Sequence, residues 1–204
     1  MSHEAAPIPA EDPNAVQAQF ESCRYAAVGR FLEGGLSEML YRHVRTRAAH
    51  NALSSPRTTG MPAALEASAD PLMENVLSGL LPRVEQLSGR LLHPTYSFVR
   101  LYRRGDRLER HLDRASCEIS VSVHLGSDGD IDWPLWVAGP CGERAARQRP
   151  GDALLYRGAD CEHWRDPLEG AEWAQLFLHY VDRQGPHAEL RFDRREQLRT
   201  KPGG

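Results

Sequence analysis

Apolar residues recur at helical spacing in the first half of the chain. Over residues 28–44 they fall at steps of three and four, with Gly34 and Gly35 as a break, which predicts one or two helices. A second stripe covers residues 72–91. Asp70 is placed to cap its first turn, and Pro82 either bends this helix or starts a new one.

From residue 95 onward the pattern changes to short segments rich in aromatic and β-branched residues, separated by Gly, Asp and Pro turns. No long helical pattern interrupts them, which favours an antiparallel sandwich or barrel over a parallel sheet with crossover helices. The predicted fold class is α+β, mainly β, with helices first and a β-sandwich after them. Five segments are candidate strands, and HLD lies on or beside another: TYSFVRLYR, CEISVSVHL, WPLWVAG, DALLYRG and WAQLFLHYV.

The pattern predicts one domain between two flexible tails. Residues 1–15, rich in Ala, Pro and acid, and residues 199–204 have the composition of tails. Residues 16–198 then form a single domain, with a helical part over 16–93 and a β core over 94–182.

The segment 51–71 lies between the two helical regions and has no steady periodicity. It carries Ser, Thr, Gly and three prolines, which predicts a long loop. We interpret it as a mobile lid over a site, with an ordered surface connection as the alternative.

The composition and net charge of the chain argue against some classes of binding partner. The chain has 204 residues, of which 41% are hydrophobic, and this is enough for a sizeable core. Its formal net charge of -3 provides no basic surplus, so neither nucleic acid nor an anionic membrane is an expected partner. The first residues lack a signal-peptide pattern, and we expect a soluble cytoplasmic protein.

The four cysteines show no spacing typical of a zinc site or a redox pair. The simplest interpretation is that all of them are reduced thiols. They are Cys23, Cys117, Cys141 and Cys161.

Candidate chemistry begins with the H-x-D triplet of His111 and Asp113. On an extended backbone these two side chains project from the same face. His163 follows 50 residues after Asp113, just past the candidate strand DALLYRG. Two histidines and one carboxylate are the facial triad of non-haem iron(II) sites, which leaves three positions open. Three ordinary polar residues in turns are the alternative.

The context of the triplet is more specific than the triplet itself. The motif Y-x-x-G-x-x-L-x-x-H-x-D begins at Tyr102, P-G-D-A-L-x-Y-x-G begins at Pro150, and His163 with a final apolar strand follows. This order resembles the 2-oxoglutarate- and iron(II)-dependent oxygenases, particularly their prolyl-4-hydroxylase-like branch, over roughly residues 72–182. The resemblance implies a double-stranded β-helix, or jelly roll, with supporting helices outside it.

By this resemblance His111, Asp113 and His163 are the catalytic residues and hold Fe(II). The cosubstrates are 2-oxoglutarate and O2. The implied reaction couples decarboxylation of 2-oxoglutarate to oxidation of an unactivated C–H bond. Related halogenases lack the carboxylate, so Asp113 favours hydroxylation, or a related desaturation or cyclisation.

The far carboxylate of 2-oxoglutarate needs a charge-assisted partner. Relatives often carry a basic residue on the last strand, at the position of Trp173 here. The resemblance assigns a cosubstrate contact to Tyr102, with core packing as the alternative. Arg165 shares a side with His163 on an extended segment and is the nearest basic candidate, unless it is a surface arginine. His124, within S-V-H-L-G, resembles a cosubstrate-binding histidine of the aspartyl-hydroxylase-like branch, or is a core histidine.

Other polar and aromatic residues receive structural interpretations. Gln175 and His179 are predicted to lie on an outward polar face of the last strand, although either could reach a cleft. Arg100, within an arginine-rich run, is predicted to be solvated. Three tryptophans either line a substrate mouth or simply pack: Trp133, Trp136 and Trp164.

The predicted function is therefore a dioxygenase that hydroxylates an amino-acid-like, peptide, carrier-bound or small-molecule substrate. Two alternatives stay open. One is a cupin-like iron dioxygenase that does not use 2-oxoglutarate, and the other is a non-catalytic jelly-roll binding protein. The sequence leaves the substrate and the oligomeric state undetermined.

Overall fold

A computed structural model describes residues 12–54 and 64–199 of the chain. Three helices and ten strands follow one another between these limits. The first half contains α1 (Pro13–Cys23), β1 (Tyr25–Val28), α2 (Gly34–Ala49), β2 (Leu65–Ser68), α3 (Pro71–Ser88) and β3 (Leu92–Arg103). The second half contains β4 (Leu108–His111), β5 (Ile119–Ser127), β6 (Leu135–Gly139), β7 (Gly142–Ala146), β8 (Ala153–Tyr156), β9 (Glu162–Arg165) and β10 (Glu172–Asp182), with short 3-10 segments at Ala115–Cys117 and Ala188–Arg194.

The strands form two antiparallel sheets. The major sheet has the order β1-β8-β5-β10-β3-β2, and the minor sheet has the order β4-β9-β6-β7. The apolar side chains on one face of the major sheet pack with those of α1, α2 and α3 in the largest core cluster. Its other face, with Leu154 and Tyr156, packs with Leu135 and Val137 of the minor sheet. The prediction of helices followed by an antiparallel β-sandwich is confirmed.

The local sequence determines where helix α3 begins and ends. The Asp70 carboxylate accepts hydrogen bonds from the backbone N–H groups of Leu72 and Met73, so the predicted N-cap is confirmed. The helix continues through Pro82 and ends at Gly89, whose φ of 67° suits a glycine. Leu77 and Val84 are fully buried on its sheet-facing side, which provides packing that offsets the hydrogen bond lost at the proline.

Several short elements differ from the sequence predictions. Residues 13–15 belong to α1 rather than to a tail, because Asp12 caps this helix and Pro13 occupies its first turn. Residues 25–28 form β1, which pairs with β8. Residues 65–68, predicted as loop, form β2 because they pair with β3. The middle of the predicted lid, residues 55–63, lies outside the described residues, as do residues 1–11 and 200–204.

The prediction of four reduced thiols is wrong for one pair. Cys23, at the end of α1, forms a disulfide with Cys141, in the turn between β6 and β7. The two cysteines are 118 residues apart in sequence, so no short cysteine spacing indicates the disulfide. Cys117 and Cys161 are free and buried. A stable disulfide is more typical of oxidising compartments than of the cytosol, and the predicted cytoplasmic location stays a prediction.

No helix in residues 12–54 and 64–199 is long and apolar enough to cross a membrane.

We expect the unfolded protein to show two reactive thiols without reductant and all four after reduction. Cys23→Ser should lower the free energy of unfolding by about 2–4 kcal/mol, because the bond closes a long loop in the unfolded chain. Thiol titration in denaturant and chemical unfolding measure these two effects. Four thiols without reductant would contradict the disulfide.

Candidate metal centre and adjoining pocket

The antiparallel pairing of β4 with β9 brings the two predicted histidines together. His111, the last residue of β4, lies directly opposite His163 of β9. Their ring centroids are 4.3 Å apart. The alternation of side chains directs both rings into the space between the two sheets.

Asp113 lies two residues beyond the end of β4 and completes the group. Its Oδ1 is 3.6 Å from Nε2 of His111 and 3.6 Å from Nε2 of His163. Its backbone N–H donates to the carbonyl of Gly158 at 2.9 Å. A Cβ on Gly158 would lie 2.3 Å from Oδ2 of Asp113, so this position requires a glycine. The structure thus brings the three predicted metal ligands within bonding distance of one ion.

Backbone carbonyls set the orientation of both imidazoles. Nδ1 of His111 lies 2.7 Å from the carbonyl of Glu109, and Nδ1 of His163 lies 3.0 Å from the carbonyl of Cys161. A carbonyl only accepts, so Nδ1 carries the proton in each ring. Each Nε2 therefore presents its lone pair towards Asp113, as a metal ligand must.

The protonation states also suit a cation. Burial lowers the pKa of His163, which favours the neutral ring that ligates metals. Burial alone would raise the pKa of Asp113, but the nearby imidazoles of His111, His163 and His179 outweigh it and lower that pKa. For His111, burial is outweighed by the nearby Asp113 carboxylate and by the hydrogen bond to the Glu109 carbonyl, and its pKa is raised. A proton would thus compete with a bound metal mainly at His111.

A cavity of about 150 Å³ opens onto this triad. Its other walls are mostly aromatic, as is common where a few polar groups orient a ligand. Arg100 is a wall residue with a side chain only 17% exposed, so the prediction of a solvated arginine is wrong. The remaining walls include Phe98, Leu108, Tyr156, Phe177 and His179.

Arg165 lies deeper between the sheets and is buried. Its guanidinium donates to the backbone carbonyl of Trp133 and to the side-chain oxygens of Gln148 and Gln175, the latter two at 3.1 Å. The ring of Trp133 lies 4.4 Å from it. Among the described residues no carboxylate pairs with it. Burial lowers the pKa of Arg165 to about 10, so the group stays charged at neutral pH.

Three buried polar atoms near Arg165 have no hydrogen-bond partner in the described part of the chain. They are Nε of Arg165, the hydroxyl of Tyr102 and Nε2 of His124. His124 stacks on Trp173 with a centroid distance of 3.5 Å, and its Nδ1 lies 3.1 Å from the carbonyl of Gln148. Burial lowers the pKa of His124 to about 3, so its ring is neutral and Nε2 is an acceptor. Arg165 and Tyr102 therefore suit an anion better than His124 does, and the roles of all three stay predictions.

Gln175 and His179 face the interior, so their predicted outward orientation is wrong. Gln175 is fully buried and donates to the hydroxyl of Ser122 at 2.8 Å, while His179 lines the cavity. Both faces of β10 are covered, one by helices and the other by the minor sheet, and a strand pattern alone cannot show this. Trp173, at the position where relatives carry a basic residue, is buried and donates to Gln175 at 2.7 Å.

The tryptophans do not form a mouth. Trp133 is buried against Arg165, whereas Trp136 and Trp164 stack on each other at 6.0 Å. Arg110 covers the Trp164 ring at 4.2 Å. Since Trp164 lies between the inward-facing His163 and Arg165, this stack is on the outer face of the minor sheet.

A second group of possible ligands shares Asp113 with the triad. It adds Cys117 and His179. Cys117 already contacts the hydroxyl of Tyr96 at 3.1 Å, and Nδ1 of His179 contacts the hydroxyl of Ser120 at 2.9 Å. Burial raises the pKa of the Cys117 thiol to about 12, which disfavours the thiolate that metals bind. The set of His111, Asp113 and His163 is therefore the better candidate for a metal site.

Comparison with known proteins yields matches only among solved structures. No family model matches the chain, and no curated protein matches it significantly. A prolyl-4-hydroxylase from Pseudomonas putida superimposes with a TM-score of 0.70 at 18% identity, covering 85% of this chain and 100% of the other. The 2-oxoglutarate-dependent epimerase SnoN of nogalamycin biosynthesis gives 0.72 at 13% identity and 84% of each chain.

A third structure, HygX from Streptomyces hygroscopicus with nickel and 2-oxoglutarate bound, gives a TM-score of 0.62 at 13% identity, covering 81% of this chain and 85% of the other. At such identities the likeness establishes the fold. The chain has the double-stranded β-helix fold of the 2-oxoglutarate- and iron(II)-dependent oxygenases, as the sequence predicts.

Replacing any of His111, Asp113 and His163 by Ala should weaken binding of Co(II) by more than about 100-fold, because loss of a direct ligand costs at least as much as loss of the groups that orient it. Calorimetric titration measures the affinity, and thermal unfolding checks that the fold persists. His50→Ala removes an exposed histidine and serves as the matched control. Wild-type affinity in any of the three variants would contradict the assignment of that ligand.

Proposed function

We propose that this protein is a non-haem Fe(II)- and 2-oxoglutarate-dependent dioxygenase that hydroxylates an unactivated C–H bond. The proposal rests on two features that lie close together inside one barrel, a candidate metal triad and a buried cation. A triad of two imidazoles and a carboxylate adjoins Arg165, a buried cation without a carboxylate partner among the described residues.

The triad fits iron(II) by its donor set. Nε2 of His111, Nε2 of His163 and a carboxylate oxygen of Asp113 would hold the ion and leave other coordination positions open. When bound, the iron supplies activation of dioxygen. The protein contributes by fixing both imidazoles in the ligating tautomer and by keeping Asp113 ionised.

The interior fits a dicarboxylate such as 2-oxoglutarate by its charge. A buried guanidinium bonded to neutral acceptors lacks the anion that such groups normally pair with. Arg165 and the unpartnered hydroxyl of Tyr102 would bind the far carboxylate, while the keto acid end reaches the metal site. Gln148 and Gln175 hold the guanidinium in place from the other side.

Aromatic side chains form several walls of the cavity beside the triad. Tyr156 is fully buried beside His163, with ring centroids 4.8 Å apart, and Phe98 and Phe177 line the approach. Asp113 occupies the carboxylate position, which favours hydroxylation over halogenation. The substrate we propose is a small molecule or a peptide-like group, because the open space is small.

The protein with Fe(II) and 2-oxoglutarate under air should release succinate and consume O2, with faster turnover once its substrate is present. Chromatographic detection of succinate measures this, and Asp113→Ala is the inactive control. A cupin-like oxygenase without 2-oxoglutarate chemistry, or a binding protein, would give no succinate, and that result would reject the proposal.

Arg165→Gln should raise the dissociation constant for 2-oxoglutarate about 10- to 100-fold, because one charge-assisted contact contributes roughly 1.5–3 kcal/mol. Binding of Co(II) should change little, since Arg165 is not a metal ligand. Calorimetry on the Co(II)-loaded protein measures both constants, and Tyr102→Phe should show a smaller effect. An unchanged 2-oxoglutarate affinity in Arg165→Gln would transfer the role to another basic residue.

A further inference from the structure

An ion pair stands on the inner face of the major sheet beside the metal centre. Glu66 of β2 lies opposite Arg100 of β3 in the strand register. Leu65 and Ala67, the neighbours of Glu66, pack against the helical core, so Glu66 projects from the other face, towards the cavity side. The two side chains are joined by a 3.1 Å hydrogen bond from Nε of Arg100 to Oε2 of Glu66.

The Arg100 side chain is mostly buried, and only part of its hydrogen-bonding capacity is satisfied by Glu66. Its side chain is 17% exposed and that of Glu66 is 16% exposed. Its guanidinium lies 5.2 Å from the Phe98 ring and 5.9 Å from the Tyr102 ring. Nε of Arg100 donates to Glu66, and Tyr102 is a second polar neighbour of the guanidinium, so its remaining N–H groups are available for a ligand.

The arginine of this pair lines the same cavity as the predicted metal ligands. Arg100 and the triad line one space, together with the apolar walls Phe98, Phe177 and Leu108. A partly buried ion pair contributes little to stability compared with an apolar pair, so its placement at this cavity is better explained by recognition.

Charge balance indicates what the pair recognises. In the proposed complex, the charges of Asp113 and a dicarboxylate are balanced by a divalent metal and Arg165. Arg100 and Glu66 balance each other as well. A lone carboxylate on Arg100 would approach Glu66, and a lone amine on Glu66 would approach Arg100, so each would meet repulsion. A ligand with both charges avoids this cost.

We propose that Arg100 and Glu66 bind the carboxylate and the ammonium group of a free α-amino acid with an apolar side chain, which is the substrate. This inference rests on the proposed function and names its substrate class. The side chain then packs against Phe98 and Phe177, which also contact each other, and its C–H bonds face the metal centre. Arg100 and Glu66 are specificity residues and are not ligands of the metal.

The test uses full-length protein loaded with Mn(II), with and without N-oxalylglycine, an amide analogue of 2-oxoglutarate. The probes are L-valine, L-leucine, L-isoleucine, L-proline and L-phenylalanine. Broadening of their side-chain proton signals by Mn(II) reports both affinity and closeness to the metal. Two analogues of leucine separate the two charges: leucinamide lacks the carboxylate, and 4-methylpentanoate lacks the ammonium group.

We expect at least one amino acid to be broadened by the loaded wild-type protein, and both leucine analogues to bind more weakly than leucine. Arg100→Gln and Glu66→Gln should each weaken the best probe about 10-fold or more, as expected for a charge-assisted bond. Arg103→Gln removes an exposed arginine of the same strand and should leave probe binding unchanged. If either single variant unfolds, the double variant Arg100→Gln/Glu66→Gln keeps a neutral pair and replaces it.

The outcomes separate this inference from the proposed function. No broadening of any amino acid, equal binding by wild type and Arg100→Gln, or equal binding of 4-methylpentanoate and leucine would each overturn it. Weaker binding of N-oxalylglycine to Arg100→Gln would show that Arg100 holds the cosubstrate, which overturns the inference and leaves the dioxygenase standing. Failure of N-oxalylglycine to bind wild type would count against the dioxygenase itself, while binding of the amino acids with Mn(II) alone would still test the ion pair.

Discussion

The register between β4 and β9 is the constraint on which the site depends. It places His111 opposite His163, and the chain leaves β4 at once so that Asp113 can close the group. A shift of one residue in this pairing would turn one imidazole to the outer face of the minor sheet. The close approach of Asp113 to Gly158 fixes the third ligand against the opposite side of the barrel.

The alternation of side chains along the strands also directs two arginines into the interior. Arg165 follows His163 by two residues on β9 and therefore points into the barrel, where neutral glutamine side chains hold it. Arg100 projects into the barrel from β3, but Glu66 neutralises it. Arg165 has no anionic partner among the described residues, whereas Arg100 is already paired with Glu66. We therefore assign a dicarboxylate to Arg165 and a zwitterionic ligand, which has no net charge, to the pair of Arg100 and Glu66.

The sequence predicted the two-layer fold and the clustering of His111, Asp113 and His163, because these depend on local spacing, strand alternation and an ordered motif. It did not predict the inward orientation of Arg100, Gln175 and His179, because a polar residue on a strand normally marks a solvent face and here the minor sheet covers that face. The disulfide between Cys23 and Cys141 also escaped prediction, since only the tertiary fold brings those residues together.

We propose that one barrel interior holds a metal on the triad and a dicarboxylate on Arg165. A crystal structure of the protein grown with Mn(II) and 2-oxoglutarate without oxygen is the decisive test. We expect a single ion bonded to His111, Asp113 and His163, with the far carboxylate of 2-oxoglutarate bonded to Arg165. An ion bonded instead to Cys117 and His179, or a carboxylate bonded to Arg100 with Arg165 unengaged, would contradict it.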